Sequence, residues 1–221
     1  PNSLKRTEAT VIERRTNVKR FRKVMVMLLP ASVLVFVASP VHAMHIAEGI
    51  LPLPWAAFWF VLSVPFVLWG LRTLRVRSEK EPHIKPFVAL VGAAVFVISC
   101  MPIPVPTAGT CSHPCGTGMA AILIGPWLTV VVASIVLVLQ ALFLAHGGLT
   151  TLGADIFSMG VAGAFVGYGV FVLGKRLGAS PILAAFLAGI LSDWATYAVT
   201  SLALGAALHG DYSFGTMFLS I

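Results

Sequence analysis

The sequence predicts an all-α membrane protein, a polytopic bundle of transmembrane helices. Of its 221 residues, 58% are hydrophobic and only 10% charged, against about a quarter charged in an ordinary soluble domain. Several apolar runs approach the ~20 residues that a helix needs to cross a bilayer core. No single soluble core could bury that much apolar surface.

The net charge of +7 suggests a nucleic-acid partner only until it is divided along the chain. Residues 1–43 hold eight Lys/Arg against two Asp/Glu, and the remaining 178 residues hold seven against six. No basic patch is left to grip phosphates, so nucleic-acid binding is excluded and membrane lipid is the expected surroundings.

Lys19, Arg20, Arg22 and Lys23 precede an apolar run over 24–38, which Ser39-Pro40-Val41-His42-Ala43 follows. Basic, apolar and small-residue regions in that order read as a secretory signal peptide cleaved after Ala43; an uncleaved signal anchor is the alternative. Residues 1–43 are therefore assigned to the leader and its preceding n-region, and 44–221 to a transmembrane metal-binding domain. Pro1 is not expected to be the natural start. Cleavage would make Met44 the amino terminus, with His45 second.

About six membrane helices are expected after the leader. Residues 50–71 form a first span, followed by Arg72, Arg75, Arg77, Lys80 and Lys85 in a loop that the positive-inside rule makes cytoplasmic. The mature amino terminus then lies outside, as an exported leader also requires, in the cytoplasmic (inner) membrane. A second span over 87–103 leads to an uncharged outer loop, 104–118. A single span over 119–143 would leave Lys175 and Arg176 outside, so a break is expected at Gly125-Pro126, where proline interrupts a helix. Residues 145–154 then face outward, 155–173 run inward, and 181–208 run out again. Another apolar segment begins as the chain reaches Ile221, so a further, truncated helix is expected there.

A terminal amine, the amide nitrogen of residue two and that residue's imidazole can close adjacent chelate rings around one metal ion, and Met44-His45 supplies all three. A further imidazole completes a four-nitrogen plane, a geometry suited to Ni(II) or Cu(II) and accessible to Co(II). His113 lies in the loop on the same side. The glycines and prolines around it suit a loop tucked into a bundle, because irregular backbone survives at membrane depth only where protein or a water cavity satisfies it.

Three stretches carry a family resemblance: Met44-His45-Ile46-Ala47-Glu48-Gly49-Ile50-Leu51-Pro52, Ser112-His113-Pro114-Cys115-Gly116-Thr117-Gly118 and His146-Gly147-Gly148-Leu149-Thr150-Thr151-Leu152-Gly153-Ala154. With Gly125-Pro126-Trp127 and Asp193-Trp194-Ala195-Thr196-Tyr197, they make the chain after Ala43 resemble the CbiM/NikM family. These are substrate-binding components of energy-coupling-factor cobalt and nickel transporters. The resemblance implies Met44, His45 and His113 as metal ligands, Co(II) or Ni(II) as transported substrate, and cobalt uptake serving cobalamin synthesis. It also implies a transmembrane coupling component, two cytoplasmic ATPases and a small accessory membrane protein as partners. Cys115 stands where the family usually has Thr, and Asp155 where Asn is common.

Glu48, Ser112, His146 and Asp155 are candidates to orient the ligating groups, since polar side chains in or near membrane helices usually mark function. Asp193 is open between that role and helix capping or an interhelical hydrogen bond. Cys111 and Cys115 leave a disulfide, a thiolate contribution to the metal and neither of these open, while Cys100 reads as apolar filler. Small faces at Gly163/Gly167 and Ala184/Ala188 suit close helix packing. The chain contains no phosphate-binding Gly-x-x-x-x-Gly-Lys-Ser/Thr loop and no paired helical histidines with glutamate, so it is read as no enzyme. A nickel-specific uptake component is the first alternative, and a vitamin-binding component the second.

Overall fold

The computed structural model describes residues 45–46, 48–101, 103–105, 110–112, 114–144 and 146–208, with backbone alone at 103–105 and 110–112. The expected leader over 1–43, the ligands Met44 and His113, and the segment over 209–221 lie outside the described residues.

Helix α1 spans Leu53–Lys80. Pro52 caps it in extended conformation and Pro54 sits in the first turn, where a missing N–H removes no helical bond. Its 28 residues make it about 42 Å long at 1.5 Å per residue, well beyond the ~30 Å hydrocarbon core. The basic stretch after residue 71 is therefore helix and not the expected loop. Arg75 with Glu79 and Arg77 with Glu81 form i,i+4 pairs that favour continued helix there.

Helix α2, Ile84–Ser99, begins and ends earlier than the sequence suggests. Pro102 and Pro104 bar any continuation to residue 103. The outer loop is not wholly irregular: β1 (Ile103–Val105) and β2 (Thr110–Ser112) pair antiparallel, with Ile103 opposite Ser112. This short hairpin is the one addition, among the described residues, to an otherwise helical bundle.

Helix α3, Thr117–Ile124, has eight residues, about 12 Å, and cannot cross a membrane. The break expected at Gly125-Pro126 is present. Gly125 adopts φ +89°, a left-handed value that favours glycine, and α4 starts at once with Pro126 and runs to Phe143. Arg77 donates to the carbonyl of Ile124 at 3.1 Å, satisfying an orphan acceptor at the end of α3. The C-terminal end of α3 therefore meets the basic end of α1, and α2 and α4 both start from that level and run the same way.

Helix α5 (Leu152–Asp155) passes into a π-helix, Ile156–Gly163, and then into α6 (Ala164–Arg176), a continuous 25-residue rod. Helix α7 is Pro181–Ala207, with Ser180 capping its start through the N–H of Leu183 at 3.3 Å. Among the described residues four helices are long and apolar enough to span a membrane: α1, α4, the α5–α6 rod and α7. The expected six are thus four full spans, the 16-residue α2 and the half-length α3.

Aliphatic side chains of α2, α3 and α4 form one core, from Val88, Val91 and Val95 to Ile124, Leu128 and Val132. Beside it α3, α6 and α7 approach on small residues. A Cβ on Gly167 would lie 2.8 Å from the Cα of Gly118, and Ala184 and Ala188 are fully buried. The small faces noted in the sequence are consumed within the bundle, as expected where apolar solvent offers no hydrophobic drive and close packing must hold helices together. Hydroxyls reinforce the contact, with Ser192 donating to the carbonyl of Gly163 at 2.8 Å.

Candidate functional site

The segment ahead of α1 folds back into the bundle at the end opposite the basic cluster. His45, Ile46 and Leu51 are all buried. Ile46 and Leu51 join Trp59, Ala154 and Ala203 in a small apolar core, so hydrophobic burial draws the segment inward.

Once it is there, the backbone at Ile46 is clamped on both sides. Its N–H donates to Asp155 Oδ1 at 3.1 Å, and its carbonyl accepts the Thr151 hydroxyl at 2.6 Å. Asp155 and Thr151 are themselves buried, lie one helical turn apart on the same face, and are 3.4 Å from each other through Oδ2 and Oγ1. Two polar side chains thus fix the peptide that follows His45.

The His45 ring meets His146 edge to face, with centroids 4.4 Å apart and planes at 67°. His146 is held by its own N–H on the carbonyl of Gln140 at 3.2 Å. Gln140, fully buried near the end of α4, reaches across to the Ser99 hydroxyl at 2.9 Å. The chain from α2 through Gln140 to His146 therefore sets the depth of the loop that faces His45.

Glu48 is exposed on the rim of this end of the bundle. It accepts the N–H of Thr150 at 3.2 Å, and hydrogen bonding from Thr150 holds its carboxyl below the usual carboxylate range. Gly148 lies directly beneath it. A Cβ there would come within 2.6 Å of Glu48 Oε2 and 2.7 Å of its Cα, so only glycine allows the two segments to meet.

Of the residues singled out in the sequence, the structure brings together His45, Glu48, His146 and Asp155. Ser112 is described by its backbone alone, as the partner of Ile103. The loop that carries residue 113 is anchored just beyond it, where the N–H of Cys115 donates to Asp193 Oδ1 at 3.2 Å. Cys115 is buried, with its thiol 3.8 Å from the Thr196 hydroxyl. Asp193 thereby bonds from α7 to the backbone of this loop and not to another helix. The side chain of Cys111 lies outside the described residues, and with it any pairing to Cys115.

Thr151 and Gln140 were missed. Thr151 stands four residues before Asp155, a helical spacing that could have flagged it, and Gln140 is a lone amide in an otherwise apolar helix. Among the described residues no three His, Cys, Asp or Glu side chains are grouped so as to hold a metal ion.

Residues 45–221 match the family model CbiM, described as the cobalt uptake substrate-specific transmembrane region. The chain belongs to the CbiM family. A CbiM relative from Sorangium cellulosum, named a cobalt transport protein, is 63% identical over 178 residues, covering 80% of this chain and 79% of that one. A CbiM relative from Geobacter sulfurreducens bearing the same name is 59% identical, covering 83% of this chain and 53% of its own length. A solved structure described as a truncated transition metal transporter superposes with a TM-score of 0.67 at 30% identity, covering 73% of this chain and 74% of that one. As a CbiM-family member the chain is a membrane transport component and not an enzyme.

Proposed function

We propose that this chain is the substrate-capturing component of an energy-coupling-factor importer and that it binds Co(II) on the outer side of the cytoplasmic membrane. The ligands are the Met44 amine, the amide nitrogen and ring of His45, and the ring of His113. The observation that carries this reading is the clamp on Ile46: Asp155 and Thr151 immobilise the peptide beside His45. The clamp holds the two peptides that follow His45, and a chelate built on the preceding amide and the His45 ring gains from a fixed backbone at that residue, because any residual freedom is lost on binding. The His146 ring restricts the His45 ring in the same way.

The leader over 1–43 is removed, which frees the amine, and the outer orientation follows from the basic ends of α1 and α6. The relatives' description as cobalt transport proteins supports cobalt, although nickel suits the same nitrogen donors; cobalamin synthesis is the use that we propose for the metal. With no phosphate-binding loop of its own, the chain relies on a transmembrane coupling component and two cytoplasmic ATPases, with a small accessory membrane protein alongside. Purified protein from cells offered equal cobalt and nickel should carry cobalt at one ion per chain by elemental analysis. A vitamin-binding component would carry neither metal.

A further inference from the structure

Between α2 and α4 the outer surface opens into a groove of about 500 Å³. Its floor is made by small residues on one stripe of α2, Ala89, Gly92 and Ala93, with Val132 below and Ile135 raised along the α4 side. Neighbouring positions of α2 that face outward are large: Phe87, Leu90 and Val97 are all well exposed. The loss of bulk is therefore confined to the stripe that lines the groove. A Cβ built on Gly92 would sit 3.6 Å from Val132, in ordinary contact with the floor, so a longer side chain there would project into the groove.

Two features identify the occupant. Lys85 is the one charged residue in the lining, and it stands at the basic end of the bundle. The two acidic side chains nearby in sequence, Glu79 and Glu81, are engaged by Arg75 and Arg77; Lys85 has no ion pair among the described residues. From Lys85 to Phe96 the lining covers eleven helical steps, about 16 Å, which is close to half of the ~30 Å hydrocarbon core. The groove thus has the length of one leaflet, is apolar along its floor, and ends in a cation at headgroup level. Basic pockets between membrane helices recognise anionic headgroups in this way.

We infer that the groove between α2 and α4 binds one anionic phospholipid, its acyl chain along Ala89, Gly92 and Ala93 and its phosphate at Lys85. A partner helix would also suit small residues, but an ammonium without an ion-pair partner at the groove's end favours an anion.

The test is native mass spectrometry of the full chain after equilibration with vesicles containing equal phosphatidylglycerol and phosphatidylcholine. Wild type should retain one phosphatidylglycerol per chain, preferred about fivefold, the expectation for one basic side chain at the surface. Lys85→Gln should retain lipid without preference, and Gly92→Leu should retain none while still eluting as a monodisperse species. Ala89→Leu fills the groove at a second point should Gly92→Leu fail to fold. Equal retention of the two lipids by wild type, or retention unchanged in both filled variants, would overturn the inference. So would a photo-crosslinker at Ile135 that captures a membrane protein in cells in place of lipid.

Discussion

Asp155 accepts the backbone N–H of Ile46 across 109 residues of sequence, at 3.1 Å and fully buried. A side chain of the α5–α6 rod thereby controls the backbone of the amino-terminal segment.

Asp155→Ala should lower cobalt affinity about ten- to a hundredfold, the cost of stranding a buried N–H. Asp155→Asn keeps an acceptor and should lose less. Titration calorimetry distinguishes the two variants. Equal, wild-type affinity in both would mean that the clamp holds the fold and not the metal.

His113→Ala should insert and fold, because the change leaves the sequence of every spanning segment intact, yet lose most of its cobalt affinity. Normal stoichiometry at unchanged affinity would place the fourth ligand elsewhere. Cys115→Thr should keep binding, since a hydroxyl can replace the thiol beside Thr196.

Adding one residue ahead of Met44 should abolish binding by removing the amine from reach, and amino-terminal sequencing of the mature protein should begin at Met44. Transport-competent protein with a blocked terminus would contradict the chelate.

Gly148→Ala drives a methyl into the backbone of Glu48, and overpacking of this kind costs typically about 1–3 kcal/mol. Both the thermal midpoint and cobalt affinity should fall. A normal midpoint with normal affinity would show that the two segments can part without consequence.

Two pH responses should separate. Cobalt affinity should weaken as pH falls below about 7, since an amine near ~7.7–8.0 and imidazoles near ~6.5 must give up protons to coordinate. The Glu48 contribution lies lower: its folded carboxyl titrates below its ordinary ~4.3, so the support it gives the rim is fully present above that value and disappears as pH falls through the depressed one. Glu48→Gln should remove the acid sensitivity of metal-free stability while leaving the steep neutral slope of metal affinity. Loss of both together would mean that Glu48 belongs to the coordinating set.

Membrane class and helix order could be read from apolar length, and the turn at Gly125-Pro126 from charge placement, because both are one-dimensional properties. The extension of α1 to Lys80 was not read, since Arg75–Glu79 and Arg77–Glu81 look like a polar loop until their i,i+4 pairing is considered. In the site, His45, Glu48, His146 and Asp155 stood out as unusual residues in an apolar chain. Thr151 did not, because its sequence sign, a place one helical turn before Asp155, gains meaning once the carbonyl of Ile46 arrives beside it.

The π-helix over Ile156–Gly163 has a consequence for the two ends of its rod. Wider winding sets the chain out of phase with an α-helix, in which each residue turns the rod by about 100°. The π turns therefore set the end with Thr151 and Asp155 at a different azimuth, relative to the end with Gly167 against Gly118, from the one that an uninterrupted α-helix would give. Deleting one residue from 156–163 would reset that azimuth: with α6 still seated on α3, Asp155 would swing away from Ile46, and the amino-terminal segment would lose its anchor although no residue touching it had changed.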